Sequence, residues 1–232
     1  MSISLTSLRL CGRILRVQYK TRPTLKFPTD TAPRKFPTCF MEPKFAASPI
    51  QKFLDMDAQL SSRLRIAEAP GVLRTIAIWF AHSGDSWFWL LGLGLYLIFG
   101  SEEWRELALT LIAGIVITAI FVLVVKFSVR RRRPEGEWGG VYRSTDPHSF
   151  PSGHAARCML IAVLVVTLGP VWLGVLLLIW APLVSMARVA MGVHYLSDIL
   201  AGMAIGALLG WVVLILVAPH TSELLAILSS LL

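Results

Sequence analysis

Two histidines, an aspartate one helical turn beyond the second, and three spaced basic residues are the side chains of this 232-residue chain best suited to chemistry on an anion. They fall in three clusters. In the first, Lys126 is followed after six residues by Arg133-Pro134, with Arg130, Arg131 and Arg132 in the interval. Seven positions along a helix are about 10 Å, or two turns, so the spacing predicts Lys126 and Arg133 on one helix face with Pro134 near its end. The same residues also read as a basic flank obeying the positive-inside rule. The second cluster, Ser149-Phe150-Pro151-Ser152-Gly153-His154, opens an apolar run. Ser152 and Gly153 stand where a helix starts, so their N–H groups can point at an anion, and glycine permits close approach. Read blandly, it is a capping loop with an interfacial histidine. The third cluster is Arg188, His194 and Asp198. With a helix already under way at His194, Asp198 is one turn on and can accept a hydrogen bond from the imidazole, the support that a nucleophilic histidine needs. The bland alternative is an interfacial ion pair.

These residues stand in a chain built for lipid. Hydrophobic residues make up 55% of it and charged residues 16%, against roughly 45–50% and about 25% in soluble domains. The formal charge of +8 is concentrated in residues 1–47, where nine Lys and Arg face Asp30 and Glu42, leaving the remainder near neutral. A nucleic-acid partner is therefore not expected. Residues 1–47, rich in Ser, Thr, Pro and Arg, read as a disordered or targeting segment. Cys11, Cys39 and Cys158 show no disulfide or metal-ligand spacing. Within 48–70, apolar positions at helical spacing over 50–66 predict an amphipathic helix at the membrane surface. Residues 71–232 form the membrane-embedded domain. Residues 72–81, interrupted by Arg74, are either re-entrant or the top of a longer tilted span; 87–99 and 107–125 follow as spans. The uncharged stretch 158–187 is about 45 Å long as one helix, so it is expected to break at Gly169-Pro170 into a hairpin. The last span, 199–219, carries Gly202, Gly206 and Gly210 at four-residue spacing, which lets helices approach closely. Residues 222–232 read as interfacial. The fold class is an all-α integral membrane bundle of five to six spans, and the hairpin brings all three clusters to one membrane face.

In order and internal spacing the clusters resemble the three-part signature of the type 2 phosphatidic acid phosphatase superfamily, which includes vanadium-dependent haloperoxidases. The resemblance covers about residues 85–218. One position departs: the family commonly has Ser before the third-cluster Arg, and this chain has Ala187. The resemblance implies that His194 attacks phosphorus to form a phosphohistidine, that Asp198 fixes its tautomer, and that His154 protonates the leaving oxygen and then activates water. It implies Lys126, Arg133, Arg188, Ser152 and Gly153 as phosphate ligands, with no metal or other cofactor. A site at headgroup level with apolar walls points to a lipid phosphate or isoprenoid diphosphate entering from the bilayer. Phosphotransfer to a second acceptor is the nearest alternative, ahead of a haloperoxidase or a non-enzymatic membrane protein.

The smaller polar groups take plainer readings. His82, Ser83 and Asp85 are expected in a turn and helix cap on the active face, with proximity to the site as the alternative, Arg143, Asp146 and His148 at the entrance, and Arg157 paired with a loop acid. The basic residues of the active face, read literally, place it in the cytoplasm. Several of them are assigned to the site, however, and the resemblance implies an extracytoplasmic or lumenal face. Nothing in the sequence sets an oligomeric state.

Overall fold

The computed structural model describes residues 9–10, 13–14, 48–67, 69–136, 138 and 146–231, and the chain divides into two compact units, Met1–Phe45 and Ala46–Leu232. In the first, β1 (Arg9–Leu10) and β2 (Arg13–Ile14) pair as a short antiparallel ladder. The reading of residues 1–47 as a tail, with Cys11 and Cys39, otherwise lies outside the described residues.

The described residues of the second unit are mainly helical. Among the described residues its α-helices are α1 (Pro49–Arg63), α2 (Val72–Ser83), α3 (Ser86–Phe99), α4 (Glu102–Val129), α5 (Gly153–Leu168), α6 (Val171–Ala190), α7 (Leu196–Leu216) and α8 (Thr221–Leu231). The hairpin forms where expected: α5 stops at Leu168 and α6 starts at Val171, with Gly169-Pro170 between them. α4, α6 and the apolar helical stretch Leu196–Ile227 are long enough to cross a bilayer; α3 and α5 are shorter. α5 sits in the middle, packed by α4, α6 and α7, and supplies Cys158, Leu160, Ile161, Ala162, Leu164 and Val165 to the main core. Large apolar side chains on the outer faces of α3, α4, α6 and α7 are exposed, as lipid-facing helices require.

The packing partners along α6 decide between the two readings of residues 72–81. From the C-terminal end of α6 inward, Ala190 accepts the Ala67 N–H, Ala187 packs with Ala77 and Ala81, Val184 lies against Gly84, Trp180 bonds Ser83 and packs on Trp89, and Leu177 clusters with Leu93. Positions 67 to 93 thus run broadly antiparallel to α6, from Ala67 at Ala190 to Leu93 at Leu177. α2 and α3 are two pieces of one traverse, broken at Gly84-Asp85. Neither piece spans alone, since 12 and 14 residues are about 18 and 21 Å against a core of roughly 30 Å. Among the described residues the bundle makes five passes, three of them on helical stretches long and apolar enough to cross a bilayer, and α1 lies at the same end as the three clusters.

Candidate active site

α4 delivers Lys126 and then stops sooner than its spacing with Arg133 predicts. Arg130 takes a left-handed conformation, φ 53°, and its N–H closes on the Lys126 carbonyl at 2.9 Å. Arg133 is therefore not on the Lys126 helix face; it lies in the following loop and returns by another route. That loop runs beside the segment leading into α5, with a bridge between Arg132 and His148 and a Ser149 N–H bond to the Arg131 carbonyl at 2.8 Å. Asp146, on the second segment, ties the two cations together. It accepts from Lys126 Nζ and, at 2.7 Å, from Arg133 Nη2, while its carbonyl accepts from Arg133 Nε at 2.7 Å. Burial raises the Asp146 carboxyl, but Lys126 and Arg133 outweigh it and hold the group below the usual carboxylate value. Burial pushes the Arg133 guanidinium down from its very high ordinary value.

The start of α5 is locked against the start of α7. Ser152 caps α5, its Oγ accepting from the Ala155 N–H at 3.4 Å, and its own N–H donates to the Asp198 carbonyl at 3.0 Å. Gly202 and Gly206 make this contact possible, since a Cβ at these positions would stand 2.5 Å from the Ser152 carbonyl oxygen and 2.0 Å from that of Ala156. Gly153 and His154 then open into a cavity of about 500 Å³, lined also by Asp85, Lys126, Arg133, Asp146, Arg157, Arg188 and His194. Ser152 is fully buried and is not among the lining residues.

His194 precedes α7 rather than standing on it, because the helix starts at Leu196. Asp198 still reaches it: Oδ2 lies 3.5 Å from His194 Nδ1, an ion-pair distance without hydrogen-bond geometry. Arg133 Nη1 stands 3.1 Å from Nε2. A guanidinium only donates, so Nε2 carries the lone pair and the ring proton sits on Nδ1, facing Asp198. That is the tautomer a nucleophile needs. Complete burial, reinforced by Arg133, Arg188 and Lys126, holds the imidazole well below its ordinary value, so it is neutral. Arg188, in the last turn of α6, is 1% exposed and faces the same cavity.

The sequence reading placed Asp85 in a capping turn on the active face, within reach of the site but with no partner named. In the structure its side chain makes no cap bond to α3; instead Oδ1 lies 2.7 Å from His154 Nε2 and Oδ2 lies 3.0 Å from His82 Nδ1. Both cavity histidines are thus backed by carboxylates. The available signal was an acid next to Gly84 between the apolar runs 76–81 and 87–99, which is costly without a partner. Arg157 does not pair with a loop acid but donates twice to the Gly84 carbonyl, at 3.1 and 2.6 Å. Around the cavity Lys126, Arg133, Arg157 and Arg188 face Asp85 and Asp146. Histidines aside, these side chains leave an excess of positive charge that suits a phosphate anion. No three His, Cys, Asp or Glu side chains converge to hold a metal ion among the described residues.

The sequence pattern of the PAP2 superfamily matches residues 107–222, half of the chain. The chain belongs to the PAP2 superfamily. Over 149 residues it is 32% identical to the decaprenylphosphoryl-5-phosphoribose phosphatase of Mycobacterium tuberculosis, covering 64% of this chain and 82% of that one. Over 139 residues it is 32% identical to the undecaprenyl-diphosphatase of Sulfolobus acidocaldarius, covering 58% of this chain and 66% of that relative, just under two thirds of its length. Among solved structures, LpxE of Aquifex aeolicus shares the fold, with a TM-score of 0.56 and 24% identity over 68% of this chain and 94% of that one. The PAP2 match covers Lys126, Arg133, His154, Arg188, His194 and Asp198, and stops short of Asp85.

Proposed function

We propose that this PAP2 protein is an integral membrane phosphatase that hydrolyses the phosphomonoester or diphosphate of a lipid, phosphatidate-like or isoprenoid, through a phosphohistidine. The observation carrying the reading is the pair of carboxylate-backed histidines at one cavity with Lys126, Arg133 and Arg188 in its walls. His194 Nε2 attacks phosphorus in line, and the bond to the leaving oxygen breaks. Arg133 passes its hydrogen bond from the imidazole to a phosphoryl oxygen. Because Asp85 occupies His154 Nε2, the proton for the leaving oxygen comes from Nδ1 of the same ring. In the second step neutral His154 takes a proton from water, the water oxygen bonds to phosphorus, and the N–P bond breaks to restore His194. Lys126, Arg133, Arg188 and the Gly153 N–H stabilise the equatorial oxygens, the charge-balancing work a metal does elsewhere. Ser152 serves by capping α5 and so fixing the direction of that amide.

A lipid substrate is supported by a second cavity, of about 200 Å³, between α4 and α5. Its apolar lining of Ile115, Ala119, Val122 and Leu123 ends at Lys126, Gly153 and Arg157, which also line the main cavity. A hydrocarbon chain lying there leads its phosphate to the cations. Both polyprenyl-linked relatives carry names that fit this class. We place the site on the extracytoplasmic or lumenal face, which accessibility of a tag on α1 tests. For the chemistry, phosphate release by purified protein in EDTA from a panel of lipid phosphates is expected, with loss of at least about a hundredfold in His194→Ala and His154→Ala. Turnover surviving in His194→Ala defeats the phosphohistidine.

A further inference from the structure

α1 presents its surfaces the opposite way from a soluble helix. Ile50, Phe53, Met56 and Leu60 are exposed, while its buried residues are Asp57 and Ser61. Both polar side chains engage the start of α7. The Leu196 N–H donates to Ser61 Oγ at 2.8 Å and the Ser197 N–H to Asp57 Oδ1 at 3.0 Å. α1 therefore supplies, from 135 and 140 residues away, caps for two of the N–H groups that the first turn of a helix leaves unpaired. That turn contains Asp198.

Asp57 also anchors a charge relay. Its Oδ2 accepts from Arg131 Nη2 at 2.6 Å and from Ser197 Oγ at 2.5 Å. Arg131 Nη1 donates onward to Ser197 Oγ at 2.7 Å and to Asp198 Oδ1 at 2.8 Å, and its Cζ lies over the Tyr195 ring, 3.9 Å from the centroid. Asp198 Oδ2 is held by the Tyr195 N–H at 2.9 Å, so the carboxylate cannot rotate away from His194. A bidentate arginine between two carboxylates is a rigid arrangement, and a lysine reproduces its charge but not its fork.

We propose that Asp57 and Arg131 are positioning residues of the reaction, through which the membrane-surface helix α1 sets the orientation and effective charge of Asp198 behind His194. The inference rests on the phosphohistidine reading. Arg131 is shared between two acids, so each end of the relay changes the field at His194 in a known direction. Asp57→Asn leaves the Arg131 charge compensated by Asp198 alone and disfavours positive charge on the imidazole. Arg131→Gln leaves Asp198 uncompensated and favours it. The other charged and titratable groups around His194 stay constant: Lys126 of α4, Arg133 and Asp146 of the loop, His154 and Arg157 of α5, Arg188 of α6, and Asp85 at the α2–α3 break.

The test is kcat, KM and the pH profile of kcat/KM for full-length protein in detergent, using the lipid phosphate that the wild type hydrolyses. Arg131→Gln is expected to move the acid limb, where His194 loses its proton, upward by about one pH unit, and Arg131→Lys to return it most of the way. Asp57→Asn is expected to lower kcat about tenfold, with KM within about twofold and the limb moved downward if at all. Activity within twofold of wild type in both Asp57→Asn and Arg131→Gln overturns the inference. So does a common loss in both with the acid limb unmoved and no rescue by lysine, since that is the mark of a purely structural contact. Should Asp57→Asn not fold, the Gln and Lys variants at 131 decide alone. Turnover persisting in His194→Ala instead removes the underlying reading, an outcome distinct from either result.

Discussion

Replacing Asp85 by Asn keeps the size of the side chain and removes the charge that faces His154. The Asp85 Oδ1 to His154 Nε2 distance of 2.7 Å is that of a charge-assisted hydrogen bond once the ring is protonated. Bonds of this kind contribute about 1.5–3 kcal/mol, and 1.36 kcal/mol corresponds to one pKa unit, so imidazolium at position 154 loses roughly one to two units of stability. The first step needs that proton. At pH values where the wild-type ring is only partly protonated, the active fraction falls about ten- to a hundredfold, less than the complete loss of the general acid in His154→Ala. The assay is single-turnover release of the leaving group from pH 5 to 9, which isolates this step from phosphohistidine hydrolysis. The basic limb is expected to shift downward by one to two units, with much of the rate returning at low pH. An unmoved basic limb with activity near wild type would falsify the role of Asp85, and an equal loss at all pH values would assign it to packing instead.

Other perturbations follow from the same geometry. Asp146 occupies the space between Lys126 and Arg133 as an internal anion, so Asp146→Asn should tighten inhibition by vanadate or inorganic phosphate about tenfold; weaker inhibition means that the carboxylate organises the cations rather than competing with the ligand. Gly206→Val places bulk where a Cβ already meets the Ala156 carbonyl at 2.0 Å, and should cost about 1–3 kcal/mol or more, seen as a lower melting temperature together with loss of activity. His194 is neutral in the fold with its value well below the ordinary one. As pH falls through about 6.5 the unfolded chain binds a proton that the folded chain does not, so stability declines over that window, and His194→Gln should flatten the decline in denaturation measured at pH 7 and pH 5.

The three clusters were legible because each is local. Lys126 and Arg133, Ser152 to His154, and Arg188 to Asp198 are defined by residue type and short spacing, and the hairpin at Gly169-Pro170 then fixes their common face. What sequence spacing could not carry was contact between distant segments. The expectation that Lys126 and Arg133 share a helix face failed because Arg130 adopts a left-handed conformation that a non-glycine residue seldom takes. Arg131 read as filler in a basic run, since its partners Asp57 and Asp198 are 74 and 67 residues away. Asp85 meets His154 across 69 residues, and neither neighbourhood announces the other. Residues 72–81 stayed ambiguous for a similar reason: a length short of the bilayer is equally that of a re-entrant helix and of half a broken one, and only the order of contacts along α6 separates them.

The break in that traverse explains why the site needs a distorted helix where a regular one is cheaper. In lipid each backbone group freed by a break must find a partner. Here the Phe80 carbonyl accepts from Ser83 Oγ at 2.7 Å, that of His82 from the Asp85 N–H at 3.0 Å, and that of Ser83 from Trp89 Nε1 at 3.0 Å. The Gly84 carbonyl, left without a helical donor, takes both Nε and Nη2 of Arg157. An unbroken helix has no spare carbonyl to hold Arg157 one turn beyond His154. Gly84 itself sits where a Cβ would stand 2.8 Å from Val184 and 3.0 Å from Cys158, so the broken backbone can lie directly against α5 and α6. One break therefore fixes an arginine of the cavity wall, brings a carboxylate to the acid–base histidine, and satisfies the polar groups that the distortion exposes.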